Sequence, residues 1–350
     1  MMKRFGRDKI LPSSRGLGNL KAPSGSTLFD SRPVVIRLWE NAPGRCSVEE
    51  LVSEVARQPG ELARFAGASL PRAPGGSIFV GAGDSYAAAL VAFYASKGRC
   101  IAMDPYTLAS EPEVARGVEV FFISVSGRTS SNALALAKVG RIAKKTTALT
   151  AVEASPLALG ADELVMLPMS YSPRTPGMRS FSLSAMAVLS LVGAARPCDF
   201  EGVFESAKTD SRRMSLAKGT TYFLGNSLAH AASLYASAKV YEVLGLRAHA
   251  EVLEEFSHME LFSLRPSDTV NAFSAFDPGG MAGKLRRALS KEGYRSEVVP
   301  ARGTSETERF FHCVFVSQLW SLAEAKRAGI TRPVFLNGAK KLRVSDSMIY

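Results

Sequence analysis

The sequence predicts an α/β protein with two doubly wound parallel sheets. Short apolar runs alternate with Ala-rich helical segments between residues 77 and 167, and a second alternation begins at Thr221. The two series also open alike. Phe79-Val80-Gly81-Ala82-Gly83-Asp84-Ser85 and Tyr222-Phe223-Leu224-Gly225-Asn226-Ser227 each read as strand, Gly turn and helix start. Continuous apolar strands separated by helices belong to sheets covered on both faces, which are parallel.

Taken in order, the first element is a helix over Ser47–Ala66, with Ser47 as N-cap and Glu50 three residues on as its capping-box partner. After the Pro/Gly stretch 71–76, strands are expected at Ser77–Gly81, Cys100–Met103, Val118–Ser124, Thr146–Ala151 and Glu163–Leu167. Helices fall between them, notably Ser85–Ser96 and Asn132–Ala143. Phe181–Ala195 is nearly apolar but carries Ser182, Ser184 and Ser190, so it is too short and too polar to cross a bilayer. It reads as a buried core helix, followed by a polar helix near Val203–Ala217. The second series has strands at Tyr222–Gly225, Val270–Ala275 and Glu297–Pro300, with helices near Ala231–Leu244, Met281–Glu292 and Glu306–Ala328. This order divides the chain into a basic N-terminal arm (1–46), a first domain (47–196), a second domain (197–330) and a C-terminal tail (331–350) that closes the site.

Composition narrows the function. Of 350 residues, 46% are hydrophobic, enough for two sizeable cores and too many for a disordered chain. The net charge of +11 is spread along the chain with no helix-turn-helix or aromatic–basic signature, so a basic surface attracting anionic metabolites is expected and nucleic acid is not. No signal-peptide pattern is evident, and the four cysteines (Cys46, Cys100, Cys198, Cys313) show no metal spacing or disulfide framework. These features suit a cytoplasmic protein with reduced thiols, no membrane association, no metal and no cofactor. The first 30 residues hold six Lys or Arg against two Asp and read as an extended arm on the domain or on a partner subunit, with a transit peptide as the weaker reading.

The most telling stretch is Ser124-Val125-Ser126-Gly127-Arg128-Thr129-Ser130, four hydroxyls in seven positions between a strand and a helix. Free amides and hydroxyls at a helix mouth favour an anion, most often phosphate; an ordinary Ser-capped turn is the plain alternative. Both Gly81–Ser85 and Ser124–Thr129 belong on the carboxyl edge of the sheet, where such folds bind ligands. Neither is a Walker A loop, and Tyr86 stands where a dinucleotide fingerprint needs a small residue, which argues against nicotinamide.

Together these residues resemble the sugar isomerase (SIS) family, specifically the two-domain isomerase half of glucosamine-6-phosphate synthase and stand-alone deaminases and phosphosugar isomerases. Gly81-Ala82-Gly83-Asp84-Ser85-Tyr86 is similar to its first turn, and Ile123-Ser124-Val125-Ser126-Gly127-Arg128-Thr129 to its phosphate loop. The resemblance implies two flavodoxin-like domains and makes Ser85, Ser124, Ser126 and Thr129 the ligands of a sugar 6-phosphate. Val125 stands where the synthase has Gln, and Gly177-Met178-Arg179 where it has Ser-Thr-Lys. Val125 and Arg179 therefore mark where the sugar pocket differs.

Ala238-Lys239-Val240-Tyr241-Glu242 resembles the family helix whose Lys and Glu, at i and i+3, share one face. The resemblance gives Glu242 the proton transfer between C1 and C2, with Lys239 beside it. Glu255-Phe256-Ser257-His258-Met259-Glu260 resembles the segment whose His opens the sugar ring, commonly in the neighbouring subunit's site, which implies a homodimer with shared active sites. Asn337-Gly338-Ala339-Lys340-Lys341 resembles the tail whose Lys forms a Schiff base with the open ketose, favoured by a flexible, water-excluded setting. Alignment selects Lys340 over Lys341. Alone, Glu242 reads as a solvated helix residue and His258 as a buried or partnered one. The 15-residue interval between them and the order phosphate loop, Glu, His, Lys argue for function instead. His230, His249 and His312 read as structural, and Glu251 and Glu254 as solvated or interfacial. The expected activity is a hexose or aminohexose 6-phosphate isomerase/deaminase. No glutaminase half is expected, because the chain opens Met1-Met2-Lys3 and its first strand begins near Ser77. The alternatives are a simple aldose–ketose isomerase and a non-catalytic phosphosugar-binding regulator.

Overall fold

Alternation of side chains along each strand sorts the apolar residues into three cores. In the computed structural model, which describes residues 46–350, Phe79, Phe121 and Ile123 point to one face of the first sheet, and Ile78, Val80, Val120 and Phe122 to the other. Phe223 and Phe273 likewise separate from Tyr222, Leu224, Val270 and Ala272 in the second sheet. The inner faces of both sheets share one large core, and each outer face has its own, so strand segments such as Ile78-Phe79-Val80 and Val120-Phe121-Phe122-Ile123 read as unbroken apolar runs. The expected basic arm lies outside the described residues except for Cys46.

The elements are α1 (Val48–Ala66), β1 (Ile78–Val80), α2 (Asp84–Ala95), β2 (Ile101–Met103), α3 (Pro105–Ser110), β3 (Glu119–Ile123), α4 (Ser130–Val139), β4 (Lys145–Thr150), α5 (Pro156–Gly160), β5 (Glu163–Met166) and α6 (Arg179–Leu191). Then follow α7 (Phe200–Asp210), β6 (Thr220–Leu224), α8 (Leu228–Lys239), β7 (Arg247–Glu251), α9 (Leu253–His258), β8 (Thr269–Phe273), α10 (Met281–Lys291), β9 (Arg295–Val299), α11 (Glu306–Arg327) and α12 (Ala339–Ile349). The first sheet runs β2-β1-β3-β4-β5 and the second β7-β6-β8-β9, with every pairing parallel. These are doubly wound orders whose winding reverses between β1 and β3, and between β6 and β8.

Helices α2, α6, α8 and α11 pack on one another in the shared core. Phe181 of α6 stacks on Tyr235 of α8 with centroids 3.9 Å apart. Of the serines that interrupt α6, Ser182 is used there. Ser182 donates to Gln58 at 2.7 Å and accepts from Gln318, which also donates to the Tyr235 hydroxyl at 3.0 Å. Pairing of this kind offsets the cost of burying a hydroxyl. No helix among the described residues is long and apolar enough to cross a membrane.

Three expectations are corrected. Arg247–Glu251 forms a strand that its sequence hides: it lies at the sheet edge, exposes Arg247 and His249, and so lacks an apolar run. The helix expected to run from Ala231 to Leu244 is α-helical only to Lys239; a π turn over Val240–Leu244 follows, closed by Gly245 at φ +67°. The polar helix expected to Ala217 stops at Asp210, followed by a short 3-10 turn.

Ser47 and Glu50 form the expected capping box on α1. A second box, Ser305 with Glu308, opens α11, and Glu308 also accepts from the backbone N–H of Asp199, the N-cap of α7. The Thr304 hydroxyl and amide N–H groups outweigh the burial of the Glu308 carboxyl and hold it down to about 2. Because this lies below the unfolded value near 4.5, its stabilisation is complete above that pH and is lost as pH falls through about 2. Glu308→Ala is expected to cost about 2 kcal/mol at pH 7 through lost charge-assisted bonds. The difference from wild type in denaturant unfolding should shrink toward pH 2; a pH-independent difference would contradict this reading.

Candidate active site

The switch between β1 and β3 brings two turns side by side on the carboxyl edge of the first sheet. In the first, Gly81 approaches α2 so closely that a Cβ there would sit 2.3 Å from the Ser85 carbonyl oxygen. Gly83 takes φ +59°, so the chain turns sharply and presents Asp84 and Ser85 at the start of α2. The second turn is the hydroxyl loop. Ser124 Oγ lies 3.2 Å from Thr129 Oγ1 and accepts from the Gly127 N–H at 3.2 Å, while Ser126 Oγ accepts from the Arg128 N–H. Ser124 and Ser126 are buried and Thr129 is partly so. Thr129 is the N-cap of α4 but makes no side-chain bond to the α4 amides. Hydroxyls and amides thus converge at a helix N-terminus, an arrangement suited to an anion.

The loop is held from behind. The Val125 carbonyl accepts from the Thr150 hydroxyl and the Ala151 N–H, both at 3.0 Å, and the Val125 side chain packs on the main core. Gly127 takes φ +61°, and a Cβ there would sit 2.0 Å from Ser155 Oγ.

From the second half, α8 delivers a buried cation. Lys239 has a fully buried side chain, its Nζ 2.7 Å from Asp84 Oδ2 and 2.5 Å from Glu242 Oε2, and 4.9 Å from the centre of the Tyr235 ring. Burial works against its charge, but the Asp84 and Glu242 carboxylates outweigh that, and the Lys239 ammonium is held above its ordinary value. Glu242 sits in the π turn, a deformation often found at functional sites. Crowding by protein atoms and, secondarily, the Asp84 charge push its carboxyl up to about 7, against the pull of Lys239 and of the Gly177 N–H. A carboxyl at that value can both give and take a proton near neutral pH.

The other predicted residues lie elsewhere. Arg179, at the start of α6, is committed to α1: its guanidinium pairs with Glu61 at 2.6 Å and its backbone N–H donates to Glu54. His258, in the last turn of α9, is 69% exposed and faces Glu254 at 3.2 Å rather than the Lys239 cluster. Lys340 lies near the start of α12 and is exposed in the single chain. The remaining histidines have partners suited to structural roles. His230 Nδ1 meets the Tyr94 hydroxyl at 2.9 Å, His249 meets Glu260 at 3.1 Å, and buried His312 meets Asp210 at 3.2 Å.

The sequence reading missed Asp84, Tyr171 and Tyr350. Asp84 carried a weak signal, an acid inside the Gly turn immediately before Ser85. The tyrosines carried none. The tail crosses from the Glu242 turn, where Val334 packs against Gly245, to the hydroxyl loop. Asp346 of α12 pairs with Arg174 at 3.0 Å, and Ser130 at the head of α4 donates to the Ile349 carbonyl. The last phenol, Tyr350, then meets Tyr171 and the Ser126 hydroxyl. Burial and Tyr350 push the Tyr171 phenol up to about 12.

Two flavodoxin-order sheets with a hydroxyl loop at one switch point define the sugar isomerase fold, and solved structures agree. A glucosamine-6-phosphate deaminase from Thermotoga maritima superposes with a TM-score of 0.66 at 20% identity, over 81% of this chain and 96% of its own. The C-terminal domain of glucosamine-fructose-6-phosphate aminotransferase from Francisella tularensis gives 0.59 at 16% identity, over 81% and 97%. A tagatose-6-phosphate ketose/aldose isomerase from Escherichia coli gives 0.58 at 15%, over 80% and 93%. At these identities the likeness is one of fold. No family model and no curated protein matches the chain.

The loop geometry has a direct consequence. Gly127→Ala would combine a positive φ with a collision against Ser155, costing about 1–3 kcal/mol. Its melting temperature should fall by several degrees; a wild-type value would contradict the loop's conformation.

Proposed function

We propose that the chain is a sugar 6-phosphate isomerase or aminosugar-phosphate deaminase. The observation carrying this reading is the Asp84–Lys239–Glu242 cluster. It sets a carboxyl pushed up to about 7 against the β1–α2 turn that also presents Ser85, and β1 is the sheet neighbour of the strand leading into the hydroxyl loop. Ser124, Ser126, Thr129 and Ser85 hold the 6-phosphate. Glu242 moves the proton between C1 and C2 of the opened sugar, a step worth about 10²–10⁴-fold when the carboxylate is well placed. Lys239 supplies an ammonium that favours developing negative charge on the sugar oxygens.

Exposed His258 acts in the site of a second copy, which makes the enzyme a homodimer with shared active sites. Lys340 forms the imine after α12 has shifted toward the open ketose. The deaminase form is favoured over a simple isomerase by the tail's resemblance to the amino-transferring branch, and the T. maritima deaminase shares the fold. The competing reading, a phosphosugar-binding regulator, needs only the hydroxyl loop. The exposure of His258 and Lys340 in the single chain is the observation on its side.

Two experiments test the proposal. Glucosamine 6-phosphate or fructose 6-phosphate should raise the melting temperature of wild type, and Ser124→Ala combined with Thr129→Ala should abolish that rise; undiminished stabilisation would remove the phosphate from this loop. Ammonia release and isomerisation should be measured in parallel on glucosamine 6-phosphate, glucose 6-phosphate and mannose 6-phosphate. Turnover of at least one, reduced about 10²-fold or more in Glu242→Gln, is expected. Binding without turnover of any would favour the regulator.

A further inference from the structure

Asp84 stands at a junction that the phosphate loop and Glu242 do not account for. It is the first residue of α2, directly before Ser85, so it belongs to the first sheet's turn. Its Oδ2 nevertheless reaches a lysine of the second half at 2.7 Å. Lys239 has no exposed surface, so without Asp84 its ammonium would keep a single carboxylate, that of Glu242. Gly177 closes the arrangement from a third segment. A Cβ on it would sit 2.1 Å from Asp84 Oδ2, and its N–H donates to Glu242. A side chain at this position would displace the Asp84 carboxylate from where it meets Lys239.

A surface ion pair would not show these features. Two carboxylates share one buried ammonium, which leaves the three groups one negative charge in excess while all are ionised. The excess negative charge raises the affinity of the cluster for one further proton. Asp84 Oδ1 is buried without a hydrogen-bond partner, so its carboxylate is anchored through Oδ2 alone. Glu242, by contrast, keeps 31% of its side chain exposed and can meet a ligand.

We propose that Asp84 is the positioning residue of this site, clamping the Lys239 ammonium from the first half of the chain so that Glu242 alone of the three exchanges a proton with a bound substrate. This deepens the proposed function and rests on Glu242 as its proton-moving group. Asp84 touches no reacting atom; it acts through Lys239. The groups facing Glu242 are Lys239 of α8, Asp84 of α2 and the Gly177 N–H; the charge of Glu54 of α1 acts on Tyr235 instead, and Glu54 is itself tied to Arg179. Of these, Asp84 is the anion whose charge raises the proton affinity of Glu242 most directly. Neutralising it therefore moves the Glu242 titration to lower pH.

The test uses the full-length protein with Glu carboxyls labelled with carbon-13, and the Glu242 signal assigned by its loss in Glu242→Gln. Wild type should titrate near pH 7. Asp84→Asn should titrate at lower pH, and Asp84→Glu, which keeps the charge, should return toward wild type. If Asp84→Asn does not fold, Asp84→Ser, which leaves more room beside Gly177, is read in the same way. A wild-type midpoint near 4.5, or a midpoint unmoved in a folded neutral variant, would overturn the proposal. These readings need no substrate, so they stand even if no sugar phosphate is turned over. Where turnover is found, Asp84→Asn should lower kcat about tenfold or more with KM changed less than about threefold, and shift the acid limb of the kcat profile to lower pH. Unchanged kcat and profile would reduce Asp84 to a structural ion pair.

Discussion

The ammonium of Lys239 is the interaction on which the two halves depend. It leaves α8, in the second half, and ends between a carboxylate of its own π turn and one from the first turn of α2. Taking a charge out of water costs several kcal/mol even after relaxation, and only well-placed opposite charges offset it. Lys239 has two, together with the face of Tyr235. Removing either carboxylate would leave a buried charge short of compensation, the expensive half of such an arrangement. The cluster thus fixes α2 against α8 at the edge where the hydroxyl loop lies.

Around it a chain of buried polar side chains links α1, α6, α8 and α11 of the core. Gln318 reaches from α11 to the Met178 carbonyl, the Ser182 hydroxyl and the Tyr235 hydroxyl, and Ser182 passes the chain to Gln58 of α1. Tyr235, the ring against which Lys239 lies, is therefore held at its hydroxyl end and stacked on Phe181. The Tyr94–His230 bond ties α2 to α8 a second time. Helices tied together in this way can hold the Glu242 carboxyl at a fixed distance from the hydroxyl loop.

Much of this was legible in the sequence, for reasons that particular residues make clear. Strands buried on both faces announce themselves, so Phe121-Phe122-Ile123 and its counterparts could be placed within a residue or two. The loop from Ser124 to Thr129 was readable because hydroxyls and a glycine in that density have few other uses. Lys239 and Glu242 were readable as a pair at i and i+3, yet the π turn that carries Glu242 has no pattern of its own. Edge strand β7 was hidden by the polar residues that an edge tolerates. Asp84 escaped because an acid at a helix start has an adequate local explanation in the helix dipole. Its partner lies 155 positions away, and only folding brings them together. The contact of Tyr350 with Ser126 was invisible for the same reason.

The central claim is that Glu242, held by Lys239 and through it by Asp84, carries a proton to and from C2 of a sugar 6-phosphate. Exchange for deuterium of the C2 hydrogen of glucosamine 6-phosphate, or of a C1 hydrogen of fructose 6-phosphate, followed by proton NMR in heavy water, tests it most directly, because exchange reports the proton transfer whether or not ammonia or isomer is released. Wild type should wash out that hydrogen, and Glu242→Gln should bind the sugar yet leave it in place. Sugar binding by wild type with no exchange, or equal exchange in the variant, would contradict the account.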